Sequence, residues 1–217
     1  MIIKFRRKPT LKYPSAILLS HAGKTFIVLI ISILVSYLFF DQPTTLYLQN
    51  LPPLFKKIGI DLSNLFDPFF LVCATPILFF LSRLILRKPL LSSTLQLLIF
   101  SIPFSLTLIH ILKNGFARYR PKKLFTEGLY GFHLTTPFMH DFSFPSGHGC
   151  VIGAIVGALA CSFPKYTWHL LILGIFLSLS RVVALDHYLS DVFSGVILGA
   201  LTSQFLFIFM KKHKITV

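Results

Sequence analysis

The chain has 217 residues, 54% of them hydrophobic and only 13% charged, and 21 Lys and Arg against 7 Asp and Glu give a formal charge of +14. That length has room for one domain, or two, and a soluble domain of this size carries about a quarter charged residues. The apolar residues come in blocks with much of the basic excess flanking them, which excludes an ordinary soluble protein and makes anionic lipid, rather than nucleic acid, the partner.

A helix crosses about 30 Å of hydrocarbon with ~20 mostly apolar residues, and six stretches are candidates. The first is about Gly23–Phe40 and follows Lys4, Arg6, Arg7 and Lys8. A signal peptide has that basic start, but this apolar core is long, no small-x-small site follows, and the chain meets D-Q-P at Asp41, so the span is expected to be retained. The loop 41–68 contains PLFKKIGIDLSNLF, which sets Leu54, Phe55, Ile58, Leu62 and Leu65 near one face of a helix expected to lie in the interface. The second span is about Phe69–Leu86, with Arg83 snorkelling to the inner face. The third is about Leu91–Leu112, and His110 near its end reads as a packed helix-end group. The loop 113–146 that follows is longer than a compact connector needs, which points to function. Short fourth and fifth spans, about Gly149–Phe163 and Thr167–Ser180, precede a sixth at about Val192–Met210. The predicted fold is all-α, one integral membrane bundle of six transmembrane helices over residues 1–217. Lys and Arg near the span ends favour cytoplasmic termini by a modest margin. Cys73, Cys150 and Cys161 match no zinc spacing and read as small apolar packing residues.

Three polar clusters interrupt this background: K-N-G-F-A-R-Y-R-P at 113–121, F-P-S-G-H-G at 144–149, and S-R-V-V-A-L-D-H-Y-L-S-D at 180–191. The first follows span three, the second precedes span four and the third joins spans five and six. All three therefore share one side of the membrane, as one active site requires. Lys113 and Arg120 are seven apart, about two helical turns, so a helix would put them on one face. With Arg181 they supply three cations, suited to the equatorial oxygens of a phosphoryl group in transfer. Ser146 adds a hydroxyl, and Gly147 and His148 add N–H groups at a helix N-terminus, which favours anions. His187 and Asp191 are one turn apart, and a carboxylate on one ring nitrogen makes the other the better nucleophile. His148 is suited to protonate a leaving alkoxide. Arg181 and His187 are six apart, so the chain must break between them to bring both to one site.

K-x6-R-P, P-S-G-H and S-R-x5-H-x3-D, in this order, resemble the motifs of the type 2 phosphatidic acid phosphatase family, which shares its site with vanadate-dependent haloperoxidases. Only Gly149, after the histidine, is a minor variation. The resemblance implies that Lys113, Arg120, Ser146, Gly147 and Arg181 bind phosphate, that His148 is the acid, His187 the nucleophile and Asp191 its partner. It implies a membrane lipid phosphate phosphatase with a phosphohistidine intermediate, and the Lys and Arg bias places its site on the outer face of the cytoplasmic membrane. No cofactor or metal is expected, because the cations do what a metal ion would otherwise do, and no obligate protein partner is evident. The substrate is left among undecaprenyl diphosphate, phosphatidylglycerol phosphate, phosphatidic acid and a lipid A-type glycolipid. A phosphotransferase with the same site and a non-catalytic carrier of anionic lipids stay open as alternatives.

The remaining polar residues are expected to matter less. Arg118, Lys122 and Lys123 either extend an anion funnel or are lipid-surface charges. His140, Asp141 and Asp186 read as loop residues, and the aromatic residues of YGFHLTTPFMHDFSF as interfacial.

Overall fold

The computed structural model describes residues 27, 30–133, 142–213 and 215. The N-terminal basic cluster, the start of the first predicted span, and His140 and Asp141 lie outside the described residues. Among those described, regular structure is helical apart from a single antiparallel bridge between Arg118 and Phe132.

Residues 30–35 run through a π-helical turn, Ser36–Phe40, into α1, Asp41–Gln49. The predicted stop at Asp41 does not occur. Pro43 lacks an N–H, and the π turn shifts the hydrogen-bond register just ahead of it, so the helix continues. α2, Pro53–Asn64, and α3, Pro68–Phe80, both start on proline, where the missing N–H costs no intrahelical bond. Asp67 caps α3 by accepting from the Phe70 N–H at 2.8 Å. A second π turn, Leu81–Ile85, extends α3 to a surface with Arg83, Arg87 and Lys88 exposed. α4, Pro89–Phe116, returns across the protein and ends where Ala117 turns left-handed (φ 45°) and donates its N–H to the Lys113 carbonyl at 2.9 Å. His110 is exposed rather than packed, on the outward side of this helix. α5, Pro121–Glu127, is short. α6 is Gly147–Ser162, and a 3-10 turn at Pro164–Tyr166 leads into α7, Thr167–Ser178. α8, Ser180–Val183, and α9, Leu189–Lys212, complete the order.

Among the described residues, four helical stretches are long and apolar enough to cross a membrane: Pro53–Ile85, Pro89–Phe116, Pro164–Val183 and Leu189–Lys212. Six were predicted. The difference is α6, which is apolar but only 16 residues long, and the first stretch, which is described only in part.

α6 lies at the centre, against α4, α7 and α9. In lipid, helices associate through close van der Waals packing, and small residues permit it. The α6–α9 seam depends on this. A Cβ at Gly199 of α9 would lie 1.9 Å from the Cys150 carbonyl oxygen, and one at Gly153 of α6 would lie 2.1 Å from that of Val196. Ser203 Oγ donates across the seam to the Ala154 carbonyl at 2.8 Å. Ile102, Val151, Ala154 and Ala158 form the buried core beside it. Outside, Phe69, Ile77, Ile85, Trp168 and Ile172 are exposed, an apolar surface suited to acyl chains.

α2 departs from its expected role as a helix merely lying in the interface. Leu54, Phe55, Ile58 and Leu65 are exposed. The opposite face packs onto α8 so closely that a Cβ at Gly59 would come within 2.8 Å of Ser180 O and Ala184 N. α2 is thus a packed cover over α8, and α8 carries Arg181.

Candidate active site

The site lies where four chain segments meet at one end of the bundle: the C-terminal end of α4, the N-terminus of α6, and the junction of α8 with α9. Lys113 occupies the last turn of α4, and its Nζ donates to the Phe142 carbonyl at 3.1 Å. Arg120 is not on the same helix. Ala117 ends α4, and Arg120 sits in extended backbone (φ −78°, ψ 159°) as the N-cap of α5, its guanidinium 3.3 Å from the Asp186 carbonyl. Pro121 holds Arg120 extended, since the residue before a proline avoids the helical region. The expected two-turn helical spacing of Lys113 and Arg120 is therefore corrected: a loop brings them together.

Arg181 is held from two sides. Its Nη1 donates to Ser63 Oγ of α2 at 3.0 Å, and its Nη2 pairs with Asp186 at 3.0 Å. Asp186, read from sequence as a plain loop residue, thus touches both arginines of the cluster, one by its carboxylate and one by its backbone. The chain breaks between Arg181 and His187 as their spacing demands: α8 ends at Val183, and Leu185 is left-handed (φ 60°).

Ser146 is buried and N-caps α6, its Oγ accepting from the Gly149 N–H at 3.2 Å. Its Oγ thus serves as the cap acceptor, and its O–H stays available to donate. The Ser146 N–H donates to the Asp191 carbonyl at 3.0 Å, which fixes the start of α6 against the start of α9. Gly147 and His148 form the first turn of α6. The charges of Arg181, Asp67, Lys113 and Arg120 all bear on His148, and those of Arg120 and Lys113 on His187.

His187 is 2% exposed and precedes α9. Its Nδ1 lies 3.7 Å from Asp191 Oδ2, beyond hydrogen-bond length, and 3.4 Å from Ser143 Oγ. Ser143 Oγ itself donates to Asp191 Oδ2, which also accepts the Tyr188 N–H at 2.8 Å. The expected direct His–Asp bond is replaced by a three-body contact, because Asp191 also caps α9.

Burial pushes the His187 imidazole down to about 3; the Asp191 carboxylate opposes this, and the cationic Arg120 and Lys113 add to it. A free histidine titrates near about 6.5, so the unfolded chain binds a proton that the folded chain does not. The stabilisation this group contributes is full above about 6.5 and is lost as the pH falls toward about 3. The melting midpoint in detergent is expected to drop between pH 7 and pH 4, and to drop less steeply in His187→Ala. Parallel curves for the two proteins would show that His187 is not the group responsible.

Arg118 is the largest departure from the sequence reading. It is neither a funnel residue nor a lipid-surface charge: it is fully buried. Nη1 donates to Asp191 Oδ1 and, at 2.7 Å, to Ser190 Oγ; Nη2 pairs with Asp41 at 2.6 Å. Burial works against its charged form, but Asp191 and Asp41 outweigh this and raise its pKa above the ordinary arginine range. The rings of Tyr188, Tyr37, Phe132 and Tyr130 enclose the guanidinium at 4.3, 4.9, 5.4 and 5.5 Å. Tyr130 and Phe132, expected to be interfacial, belong to this cage. Lys122 is exposed, and Lys123 pairs with Glu127 on α5. Sequence reasoning passed over Asp41, Ser143 and Ser190. The available signal was scarcity: a chain with 7 acidic residues and 21 basic ones seldom leaves an acid at the edge of an apolar run without a cation.

The profile of the PAP2 superfamily matches residues 94–215, more than half of the chain. Lipid A 1-phosphatase of Rhizobium johnstonii is 31% identical over 179 residues, covering 78% of this chain and 72% of that protein. The protein of the same name from Rhizobium etli is 32% identical over 181 residues, covering 77% and 76%. Undecaprenyl-diphosphatase of Sulfolobus acidocaldarius is 32% identical over 104 residues, 48% of each chain. A crystal structure of a PAP2-type phosphatidylglycerolphosphate phosphatase from Bacillus subtilis superposes with a TM-score of 0.57 at 21% identity, over 86% of this chain and 96% of that one, a likeness of fold. Together these matches define a class, the membrane-embedded lipid phosphatases. The chain belongs to the PAP2 superfamily.

Proposed function

We propose that the chain hydrolyses a phosphomonoester or diphosphate of a cell-envelope lipid through a phosphohistidine on His187, without a metal ion. The observation that carries this reading is the buried His187 with Asp191 behind it and the charges of Arg120 and Lys113 acting on it. Nδ1 faces Ser143 and Asp191, which leaves Nε2 to attack phosphorus. Lys113, Arg120 and Arg181, with the N–H groups of Gly147 and His148 and the hydroxyl of Ser146, take the three equatorial oxygens. Phosphate displaces Asp186 from Arg181 on binding. As the Nε2–P bond forms and the P–O bond breaks, His148 gives its proton to the leaving alkoxide. His148 then takes a proton from the water that cleaves Nε2–P and releases inorganic phosphate.

Among the lipid phosphates considered, a lipid A-type glycolipid phosphate is favoured, because the Rhizobium relatives that match over about three-quarters of their length are named for that reaction. We read the membrane arrangement as six spans, counting α6 and the helix ahead of Asp41, with cytoplasmic termini and the site on the outer face. The Lys and Arg at Arg83, Arg87, Lys88, Lys165, Lys211 and Lys212 support this orientation. A C-terminal reporter that is active only in the periplasm should be silent, and an active one would reverse the orientation.

The purified chain is expected to release phosphate from a lipid A-type phosphate faster than from undecaprenyl diphosphate, phosphatidylglycerol phosphate or phosphatidic acid. The rate should be unchanged in EDTA and suppressed by vanadate, which mimics the trigonal phosphoryl group. A strict requirement for added divalent metal, or indifference to vanadate, would overturn the mechanism.

A further inference from the structure

We propose that Asp41 and Arg118 are positioning residues for the nucleophile: Arg118 fixes the carboxylate of Asp191 behind His187, and Asp41 neutralises Arg118 so that Asp191 keeps its negative charge for the imidazole. This rests on the phosphatase reading above. Asp41 lies outside the matched segment 94–215, on a helix that contributes no other residue to the site described.

The three charges are all completely buried. Each carboxylate oxygen of the pair is engaged. Asp41 Oδ1 accepts from the Ser190 N–H at 2.9 Å and from Ser36 Oγ at 3.2 Å, while its Oδ2 accepts from Arg118 and from Ser190 Oγ. Asp191 Oδ1 is taken by Arg118, and Oδ2 by Ser143 and the Tyr188 N–H. Asp191 therefore has one orientation, with Oδ2 toward His187.

Charge balance explains why two acids share one arginine. A single Asp191–Arg118 pair would be neutral, and Arg118 would draw off the field that Asp191 presents to the ring. With Asp41 added, the group carries a net charge of one minus. Attack by Nε2 on phosphorus converts the neutral imidazole, protonated on Nδ1, into a cationic phosphoimidazolium. The residual negative charge stabilises that cation in a site where burial and Arg120 and Lys113 oppose it.

The test compares wild type with Asp41→Asn, Arg118→Lys and the double variant Asp41→Asn/Arg118→Gln, all full-length in detergent. Turnover, KM and the inhibition constant of vanadate are measured on the lipid phosphate that wild type cleaves. Asp41→Asn should lower kcat about 10–100-fold, the usual scale for loss of an outer-shell partner, with KM and vanadate inhibition within about twofold. Arg118→Lys, which keeps the charge but loses the fork, should show the same split. The double variant restores the net charge of one minus but still lacks the fork, so its kcat should fall no lower than that of Arg118→Lys rather than to the product of the two losses, a coupling that a mere brace does not give. Wild-type kcat in Asp41→Asn overturns the proposal. So does a double variant whose kcat falls to the product of the two single losses, or loss of vanadate binding in all three, which would make the pair a folding brace. Absence of turnover in wild type would instead strike the phosphatase reading itself.

Discussion

His187→Ala is expected to lower turnover by at least about 10⁴-fold, the scale on which removal of a covalent nucleophile acts. Vanadate should still bind, because Lys113, Arg120 and Arg181 are held by partners other than His187: the Phe142 carbonyl, the Asp186 carbonyl, and Ser63 with Asp186. His187→Asn serves as a second variant that leaves a polar group beside Ser143 and Asp191, in case the alanine cavity unsettles the start of α9. Wild-type protein quenched during turnover should carry phosphate on histidine, and both variants should carry none. Retained phosphorylation in His187→Ala would falsify the assignment and move the nucleophile to the other imidazole, His148.

Gly199→Ala is expected to destabilise the protein by about 3 kcal/mol or more, beyond the usual range for overpacking. The added Cβ meets backbone, the Cys150 carbonyl oxygen at 1.9 Å, and a carbonyl inside α6 has no rotamer with which to yield. The two helices must part. The damage should reach the candidate site, because the same seam carries the Ser146–Asp191 backbone bond at 3.0 Å that fixes the P-S-G-H turn beside Asp191. Thermal stability and turnover should therefore fall together. Gly115→Ala, whose added Cβ would meet nothing within 4 Å beyond its own stretch of helix, is the matched control and should keep both. A Gly199→Ala protein as stable as wild type would remove the close seam as a determinant of the fold.

The later spans and the polar clusters were legible because each rests on a local signal: apolar length for α4 and α9, and dense motifs for the residues from Lys113 to Asp191. What could not be read was pairing across the chain. Arg118 looks like any basic loop residue, and Asp41 like a helix stop. Only the fold, which brings residue 41 to residues 118 and 190, makes them a buried ion cluster. The face of α2 was read from its larger apolar residues, Leu54, Phe55 and Ile58, and they are exposed. Its packed face is defined by Gly59 and Ser63, and hydrophobicity gives small residues little weight. Lys113 and Arg120 both act on His148 and His187, but not through helical spacing, since the helix between them ends at Ala117.

The shortness of α6 has a consequence for where this protein works best. Its 16 residues extend about 24 Å, against about 30 Å for ordinary hydrocarbon, and Gly147 and His148 sit at its tip. In the six-span arrangement proposed above, the candidate site at that tip is sunk below the plane of the headgroups, or the surrounding leaflet dimples to meet it. Hydrophobic mismatch then becomes a kinetic variable. Reconstituted into bilayers of increasing acyl length, the protein should cleave a fixed substrate more slowly as the membrane thickens, although no atom of its catalytic apparatus has changed.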